Sequence, residues 1–527
     1  MLLKFQNIFI CIIFILTSIT VAQKKEIVAY YAEPHRNYQE NLLKLLDKNG
    51  SADKITVLCY AFAFPSPDSL GNIIPRIRPY PSYQEIYSSE MSIDGIADNQ
   101  TQSLRGIFNQ LKKLKARHPQ LKVVLSIGGW GGSTYFSDLA LNPKSREKFV
   151  DTCIALYIKG NLPVENGAGG IGSAKGVFDG FDIDWEFPVS GGPEGTHYNP
   201  NDRENMSALF ALFRKKLDSI NPGLLLTAAI SGRVWEFWKY NFNEDKKYLN
   251  WFNVMTYDFH GFGDSLTGHN TNLLSSPKDP DPYKESYNHA IKYLLDTARI
   301  SSNKIIPGAA FYARIWYNID SVNFGLYRPV NYNSSDRLIG YQHFSNFSDQ
   351  IIRDNKCHWD DLAMAPYIYN KEDKSFWSFD DTRSIALKAR YVDAYNLGGL
   401  MFWAVNGDDS SGTLINTIYN RNMQDFVAYT LKENNDLPVI KIIEPSNEDN
   451  IKKGSNVRII TNVEDKDGKV EKVEFFVDGS SIGYNTIAPF DWVWFNADKG
   501  NHEIKAVAYD NNGGKSNSNP VEINIIK

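Results

Sequence analysis

Residues 178–187 read Phe-Asp-Gly-Phe-Asp-Ile-Asp-Trp-Glu-Phe, a stretch in which acidic and bulky apolar side chains alternate. Asp182, Asp184 and Glu186 occupy every second position. Because successive side chains of a β-strand point to opposite faces, the stretch predicts a strand with one carboxylate face and one apolar face. Neighbouring carboxyl groups shielded from water resist ionising together, so the row suits a site that needs a protonated acid near neutral pH.

The rest of the chain repeats strand-like apolar runs with helical patterns between several of them. The eight runs are Ile27–Tyr31, Ile55–Phe64, Lys122–Ile127, Val177–Trp185, Leu224–Ile230, Trp251–Tyr257, Lys304–Phe311 and Gly398–Trp403. The helical patterns are Leu104–Ala116, Ser145–Ile158, Arg203–Ile220, Tyr287–Ala298 and Thr382–Asn396. This alternation favours an α/β fold of the (β/α)8 (TIM) barrel type over an open doubly wound sheet. The acidic row then ends the fourth strand, at the face where active sites of this fold are built.

Two parts of the chain depart from that rhythm. Residues 313–379 are rich in Tyr, Asn, Asp and Trp, and they predict a small inserted α+β subdomain that forms one wall of a cleft. The barrel would span 24–431, followed by a polar linker at 432–438. Residues 439–527 contain short runs of period two separated by turns, which predicts an all-β immunoglobulin-like sandwich.

The N-terminus has the composition of a secretory signal peptide. Lys4 precedes an apolar run from Ile8 to Ile15, and small residues end at Ala22. We expect residues 1–22 to be removed and the protein to be secreted, to the extracellular space, the periplasm or the cell surface. The apolar run is too short to span a bilayer comfortably and no later segment qualifies, so no membrane span is expected.

Composition narrows the classes of partner. A net charge of −5 over 527 residues argues against nucleic acid as the main partner. The aromatic content of 13 % is compatible with stacking on sugars. Cys59, Cys153 and Cys357 are too few for a disulfide framework, and the first two are expected in the core. We expect a monomer without a cofactor.

Several motifs together resemble the chitinases of glycoside hydrolase family 18. The pattern Asp179-x-x-Asp182-x-Asp184-x-Glu186 is similar to the family signature. Further segments resemble motifs of the third, sixth, seventh and eighth strands in the same order: Ser126–Trp130, Met255–Asp258, Phe311–Arg314 and Gly398–Trp403. The segment before Asp380 resembles the chitinase insertion domain, and the C-terminal unit resembles bacterial immunoglobulin-like modules.

This resemblance implies hydrolysis of β-1,4-linked N-acetylglucosamine polymers with retention, in which the substrate's own acetamido oxygen attacks the anomeric carbon. Glu186 would be the acid and then the base, and Asp184 would orient the acetamido group. Asp182 would share a proton with Asp184, Tyr257 would donate to the acetamido oxygen, and Trp403 would form the floor. Substrate contacts are also implied for Asp258, Met255, Trp130, Arg314, Tyr312, Tyr30 and Phe62.

Other interpretations of the acidic row are a solvated strand face or a magnesium site, but the aromatic residues favour sugar and no metal is expected. An endo-β-N-acetylglucosaminidase acting on N-glycans would share the chemistry. A non-catalytic chitin-binding lectin is disfavoured by the intact Glu186, and a pure adhesion protein would not explain the acids. Asp179 and His260 are expected to be structural. Trp235, Trp238, Trp316 and Trp377 are further cleft candidates.

Overall fold

Eight parallel strands that close on themselves form the centre of the protein. The computed structural model describes residues 25–32, 42–77, 82–330, 339–348, 357–420, 437–466, 468–511 and 514–527. The barrel strands are β1 (Glu26–Ala32), β2 (Val57–Pro67), β3 (Lys122–Gly128), β4 (Gly180–Asp184), β5 (Leu225–Ser231), β6 (Trp251–Met255), β7 (Ile305–Ala310) and β8 (Gly399–Trp403). Because β1 pairs with both β2 and β8, the sheet is closed, and the expected (β/α)8 barrel is confirmed.

Alternate side chains of each barrel strand point into the barrel interior and toward the surrounding helices. In β4, Phe181 and Ile183 belong to the large apolar core, and the Phe181 ring lies 5.4 Å from that of Phe213 on a surrounding helix. Asp182 takes the opposite face, in register with Ser126 of β3 and Thr227 of β5. The strand register therefore brings three polar side chains together inside the barrel.

Helices cover the outside of the barrel. Within the described residues they are Leu42–Lys48, Gly106–Arg117, Phe136–Ala140, Pro143–Cys153, Asp202–Asp218, Phe242–Tyr248, Tyr287–Lys292, Thr382–Ala394 and Thr413–Tyr419. Two of them begin with a capping box, formed by Asn142 with Ser145 and by Asp381 with Ser384. A short strand, Ile73–Ile77, pairs antiparallel with the end of β2, and Leu162–Glu165 pairs with Ala168–Gly170.

The insertion between β7 and β8 is a five-stranded antiparallel sheet in its described part. Its strands are Tyr312–Trp316, Ile339–His343, Cys357–Asp360, Ala365–Asn370 and Ser375–Ser378, with short 3-10 turns at Val322–Gly325 and Phe344–Asn346. Trp316 is completely buried and its ring lies 5.6 Å from that of Phe376. The prediction of Trp316 as a cleft residue is therefore wrong, because its ring fills the core of the insertion.

The C-terminal unit is all-β, as expected for an immunoglobulin-like sandwich. One sheet contains Val439–Glu444, Val457–Glu464 and Trp492–Trp494, and the other contains Asn450–Lys452, Val470–Val477, Ser480–Asn485, Gly500–Asp510, Lys515–Asn517 and Val521–Ile526. The ring of Phe475 stacks on that of Trp492 at 5.7 Å, which joins the two sheets through an aromatic contact.

This unit is in direct contact with the helix Thr382–Ala394 of the barrel. The Arg390 guanidinium lies 4.9 Å from the centre of the Trp492 ring and donates to the Ile482 carbonyl. Along the same helix, the ring of Tyr391 lies 5.0 Å from that of Phe495. The two domains therefore share an interface with both polar and aromatic contacts.

Cys59 and Cys153 are buried free thiols, as expected, and Cys357 is a partly exposed one. In the part of the chain that the structure describes, no helix has both the length and the apolar character needed to cross a membrane. The predicted signal peptide and residues 432–436 of the predicted linker lie outside the described residues.

Candidate active site

Strand β4 and the residues after it place the three acids one after another toward the C-terminal end of the strand. Asp182 and Asp184 are buried inside the barrel, and Glu186 follows two residues after the strand ends, where it is partly exposed. The turn after β3 fixes this end of the strand, because the Gly129 amide donates to the Asp184 carbonyl at 2.8 Å. A side chain at Gly128, where φ is +114°, would place its Cβ only 2.1 Å from the Asp184 carbonyl oxygen. This glycine turn therefore holds the acid row in place.

Four hydrogen-bond donors converge on the Asp182 carboxylate. They are Tyr30 Oη at 2.8 Å, Ser126 Oγ at 2.8 Å, Thr227 Oγ1 at 2.6 Å and Asn253 Nδ2 at 3.1 Å. The indole N–H of Trp251 donates to Asn253 Oδ1, which fixes the Asn253 amide with its nitrogen toward Asp182. Burial raises the pKa of Asp182, and the hydrogen bonds oppose that effect. A carboxylate that receives four donors is suited to remain ionised and is a poor ligand for a cation.

Asp184 and Glu186 lie in environments that favour their protonated forms. Burial first, and then the charges of Glu186 and Asp182, raise the pKa of Asp184 well above its ordinary value. Within the described residues, Asp184 Oδ1 is buried and has no hydrogen-bond partner. Burial, followed by the charges of Asp258 and Glu236, raises the pKa of Glu186 to about 8. A carboxyl group with that pKa holds its proton near neutral pH.

An aromatic floor lies at the end of β8. The half-buried Trp403 ring stacks on Phe62 at 5.7 Å with an interplanar angle of 19°, and it meets Tyr30 at 5.7 Å. Since Tyr30 also donates to Asp182, one side chain links the floor to the deepest acid. Tyr30 is itself buried, so it supports the floor from beneath, whereas Phe62 and Trp403 are partly exposed.

A second polar group extends from β6 to the insertion. Arg314 binds both oxygens of Asp258, at 2.7 and 2.8 Å, and the buried Tyr312 hydroxyl donates to the same carboxylate at 2.9 Å. The buried Tyr257 hydroxyl lies 3.8 Å from Met401 Sδ, and Met255 is partly exposed beside this group. The Tyr257 and Tyr312 rings are 6.1 Å apart. The predicted residues of the sixth and seventh strands therefore form one connected cluster.

The remaining predicted residues divide between the rim and the scaffold. Trp130 is exposed at the rim, and its ring lies 6.5 Å from that of Phe187. Asp179 pairs with Lys115 at 2.7 Å and accepts the Val123 amide, contacts that suit a structural residue. In the same way, His260 is buried against Asp279. Trp235 and Trp238 are exposed after β5, and Trp377 packs on Phe347 in the insertion.

Sequence reasoning missed Thr227, Asn253 and Tyr341. Thr227 and Asn253 are polar residues flanked by apolar ones in the middle of their strands, a signal that could have predicted partners for the acids. Tyr341 lies in the insertion and its ring stacks on that of Tyr312 at 4.8 Å, a contact that the local sequence pattern does not predict. The described residues contain no cluster of three or more His, Cys, Asp or Glu side chains arranged to hold a metal.

Comparison with known proteins decides the family. The family model "Glycosyl hydrolases family 18" matches residues 26–408, which is most of the chain. The chain belongs to glycosyl hydrolase family 18. A second family model, "Bacterial Ig domain", matches residues 438–506 of this family 18 protein.

Chitinases from several bacteria are similar to this family 18 chain. Chitinase A1 of Niallia circulans is 31 % identical over 362 residues, covering 66 % of this chain and 48 % of its own. Chitinase C of Streptomyces lividans is 29 % identical over 382 residues, covering 72 % and 56 %. The chain thus spans about half the length of these curated relatives. The solved catalytic domain of psychrophilic chitinase B from Arthrobacter TAD20 is 31 % identical with a TM-score of 0.67, covering 75 % of this chain and 95 % of that one.

Proposed function

We propose that this protein is a secreted chitinase that hydrolyses β-1,4-linked N-acetylglucosamine polymers with retention of configuration. The proposal rests on two neighbouring acids: one that holds its proton near neutral pH and one whose buried oxygen has no hydrogen-bond donor. Glu186 has a pKa of about 8, and the neighbouring Asp184 Oδ1 is buried without a hydrogen-bond donor among the described residues. A buried acceptor without a donor is costly, so a substrate N–H that reaches it is bound favourably.

In this proposal Glu186 protonates the glycosidic oxygen, and the bond from that oxygen to the anomeric carbon breaks. The carbonyl oxygen of the 2-acetamido group forms a bond to the anomeric carbon and closes an oxazolinium ring. Asp184 accepts the acetamido N–H and Tyr257 donates to the acetamido oxygen. No carboxylate of the protein becomes glycosylated, so the two-carboxylate scheme of most glycosidases does not apply.

The second half of the reaction returns the proton. Glu186, now ionised, removes a proton from water, and the water oxygen bonds to the anomeric carbon on the face that the leaving group vacated. The bond to the acetamido oxygen breaks and the acetamido group is restored. Two displacements at one carbon give net retention.

In this proposal Asp182 supplies the negative charge that keeps Asp184 from ionising. As an anion with four donors, it makes ionisation of the adjacent Asp184 unfavourable, which agrees with the raised pKa of Asp184. Sharing of a single proton between the two carboxyl groups stays a prediction. Trp403 and Phe62 would carry the reacting sugar, while Asp258 and Arg314 would bind its polar groups.

A linear polymer is a better substrate for this site than a branched N-glycan. The insertion contributes Tyr341, which stacks on Tyr312 and lies 5.8 Å from the Arg314 guanidinium, and this supports a wall along one side of the site. We also propose that the protein is a monomer. Its barrel would span 24–431 with the insertion at 313–379, followed by the linker at 432–438 and the immunoglobulin-like domain at 439–527.

The test is a product profile on defined N-acetylglucosamine oligomers with anomeric analysis by NMR. The β-anomer should form first, and Glu186→Gln should lower kcat by about two to four orders of magnitude, as loss of an acid catalyst does. Glu194→Gln is the matched control, because Glu194 is an exposed acid in the following loop. Undiminished turnover by Glu186→Gln would refute the proposal. Faster release of N-glycans than of chitotetraose products would favour the endo-β-N-acetylglucosaminidase, and tight binding without turnover would favour a lectin.

A further inference from the structure

A buried ion pair lies between the barrel and its last long helix, outside the acid row. Lys388 belongs to the helix Thr382–Ala394, and its Nζ contacts both oxygens of the buried Asp380 carboxylate, at 2.8 and 2.7 Å. Asp380 Oδ2 also accepts the Ala310 amide at the end of β7, at 2.9 Å. A buried ion pair often contributes no more stability than apolar side chains of the same size, so stability alone does not explain this one.

Lys388 has a third contact, which leads toward the active site. Its Nζ donates to Thr271 Oγ1 at 2.5 Å, and the Thr271 hydroxyl donates to the Thr256 carbonyl at 2.9 Å. An ammonium group can only donate, so Lys388 occupies an acceptor position of the Thr271 oxygen and leaves its one proton for another partner. Asp380 Oδ2 is 3.4 Å away, farther than the Thr256 carbonyl. The ion pair therefore fixes the direction of the hydroxyl bond to Thr256.

Thr256 directly precedes Tyr257, and β7 fixes both residues from the other side. The buried Thr256 hydroxyl donates to the Gly308 carbonyl and accepts the Gly308 amide, each at 2.8 Å. A Cβ built at Gly308 would lie only 2.7 Å from Tyr257 Cε1, so the Tyr257 ring packs directly on the backbone of β7. Contacts with Thr271 and Gly308 thus set both the backbone that enters Tyr257 and the surface on which its ring lies.

Asn270, the neighbour of Thr271, holds the next residue of the site. Its Oδ1 accepts the Asp258 amide at 2.9 Å, and its carbonyl accepts the Phe259 amide at 3.0 Å. Asp258 has a φ of +56°, a left-handed conformation that costs energy for a residue with a side chain. The two bonds offset this cost. Asn270 and Thr271 therefore form one buried support for the consecutive residues Tyr257 and Asp258.

We propose that Thr271, oriented by the Lys388–Asp380 pair, is a positioning residue for Tyr257. The inference rests on the proposed function, in which the Tyr257 hydroxyl donates to the acetamido oxygen as that oxygen attacks. Thr271 acts through the Thr256 carbonyl and touches no reacting atom. If the hydroxyl is removed, the Thr256 carbonyl loses this donor and the backbone before Tyr257 is free to shift. A small displacement of a group that must meet the substrate accurately lowers the rate strongly.

The first test is Thr271→Val, which removes the hydroxyl and keeps the branched shape. It should lower kcat on the N-acetylglucosamine tetrasaccharide by about tenfold, because a misplacement of about 1 Å costs about 100-fold and the shift expected here is smaller. KM should stay within about twofold, since the sugar contacts of Trp403 and Phe62 are unchanged. Thr271→Ser should restore most of the kcat, because it returns a hydroxyl to the same position.

A double-mutant cycle separates positioning of Tyr257 from a general structural role. In a Tyr257→Phe background the hydroxyl to be positioned is absent, so Thr271→Val should lower kcat by less than about twofold. Equal losses in the two backgrounds would overturn the inference, as would an unchanged kcat in the single variant. A wild-type protein that cleaves no N-acetylglucosamine oligomer would instead refute the proposed function.

Thr56→Val is the matched control. Thr56 is also buried, and its hydroxyl bonds to the Ile27 amide and carbonyl at the N-terminal ends of β1 and β2, away from the acid row. This variant should lower the Tm as Thr271→Val does but leave kcat within about twofold. A loss of kcat in Thr56→Val as large as that in Thr271→Val would assign both losses to stability and contradict the positioning role.

A second variant serves if Thr271→Val does not fold. Lys388→Met combined with Asp380→Asn removes both charges of the pair and keeps a carbonyl oxygen for the Ala310 amide, so the fold should be retained. The Thr271 hydroxyl then loses the donor that orients it. The double variant should lower kcat in the wild-type background and have little further effect in the Tyr257→Phe background. The same loss in both backgrounds would overturn the inference.

Discussion

Replacing Glu236 by Gln tests how the protein keeps Glu186 protonated. The Glu236 carboxylate is buried, with one oxygen 3.0 Å from Lys239 Nζ and the other accepting the Ser231 hydroxyl. After burial and the charge of Asp258, the charge of Glu236 is the next cause that raises the pKa of Glu186. Within the described residues, the Glu236 carboxylate bonds to Ser231 and Lys239 and makes no hydrogen bond to Glu186, so its influence on Glu186 is electrostatic.

The expected shift follows from the charge that is removed. Removing one buried carboxylate charge that acts through space changes the energy of a second one by on the order of 1–2 kcal/mol at an effective dielectric constant of about 20, which corresponds to roughly one pKa unit. An anion disfavours ionisation of Glu186, so its removal lowers the pKa of Glu186. The protonated form is the active one, and activity is lost as pH rises through this pKa. Glu236→Gln should therefore move the alkaline limb of the kcat/KM profile to lower pH by about one unit.

The same substitution has a separate cost in stability. Lys239 remains buried without its anionic partner, a loss of about 3–5 kcal/mol in the free energy of unfolding. The double variant Glu236→Gln, Lys239→Met removes both charges and should recover most of that stability, because buried ion pairs are often replaceable by apolar side chains. The alkaline limb should stay shifted in the double variant, since the anion near Glu186 is still absent.

The assay is a kcat/KM profile against pH for the wild type and both variants, with thermal unfolding of each protein measured in the same buffers. An alkaline limb that does not move in either variant would refute the electrostatic reasoning. A limb that moves in the single variant and returns in the double variant would assign the shift to the unpaired Lys239 instead. The stability measurements separate these outcomes from general loss of structure.

Three further predictions concern other contacts of the structure. Tyr30→Phe removes one of the four donors to Asp182 and should lower the free energy of unfolding by about 1.5–3 kcal/mol, measured by denaturant titration, with a parallel fall in kcat. Trp403→Ala removes the floor and should lower kcat/KM on oligosaccharides by roughly 30- to 150-fold, equivalent to about 2–3 kcal/mol; a loss below fivefold would contradict its proposed role. Arg390→Ala removes the contact with Trp492 and should separate the unfolding of the two domains in calorimetry while leaving turnover within about twofold; an unchanged thermogram would contradict that expectation.

The barrel could be predicted from sequence because its strands carry a strong local signal. Each predicted barrel strand overlaps an observed one, with boundaries that differ by at most a few residues. Two predicted helices were only partly regular, because Pro143–Cys153 and Tyr287–Lys292 continue into π-helical turns at Ile154–Ile158 and Tyr293–Thr297. A hydrophobic pattern gives the buried face of a helix but does not distinguish a turn of wider radius from a regular one.

The C-terminal domain was predicted in class but not in full. Strand Ser480–Asn485 was not predicted, because its buried positions are occupied by Gly483 and Asn485; Val521–Ile526 was also missed, although its sequence Val-Glu-Ile-Asn-Ile-Ile begins with the alternation typical of a strand. Its contact with the barrel was also not predicted. Arg390 and Trp492 are about a hundred residues apart in sequence, and only the folded structure shows that they meet.

The division of labour among the three acids follows from depth along one strand. Asp182 lies where β3, β5 and β6 can each supply a donor, so the deepest carboxyl is the one that four hydrogen bonds stabilise as an anion. Asp184 lies one step higher, within reach of that charge but without a donor to Oδ1 among the described residues, so it favours its proton. Glu186 has left the strand, and burial together with the charges of Asp258 and Glu236 raises its pKa to about 8. Because the three acids are two residues apart, they lie on the same face of the strand but in different environments, and their pKa values differ for that reason. An acid moved by one residue would face the helices and lose its role.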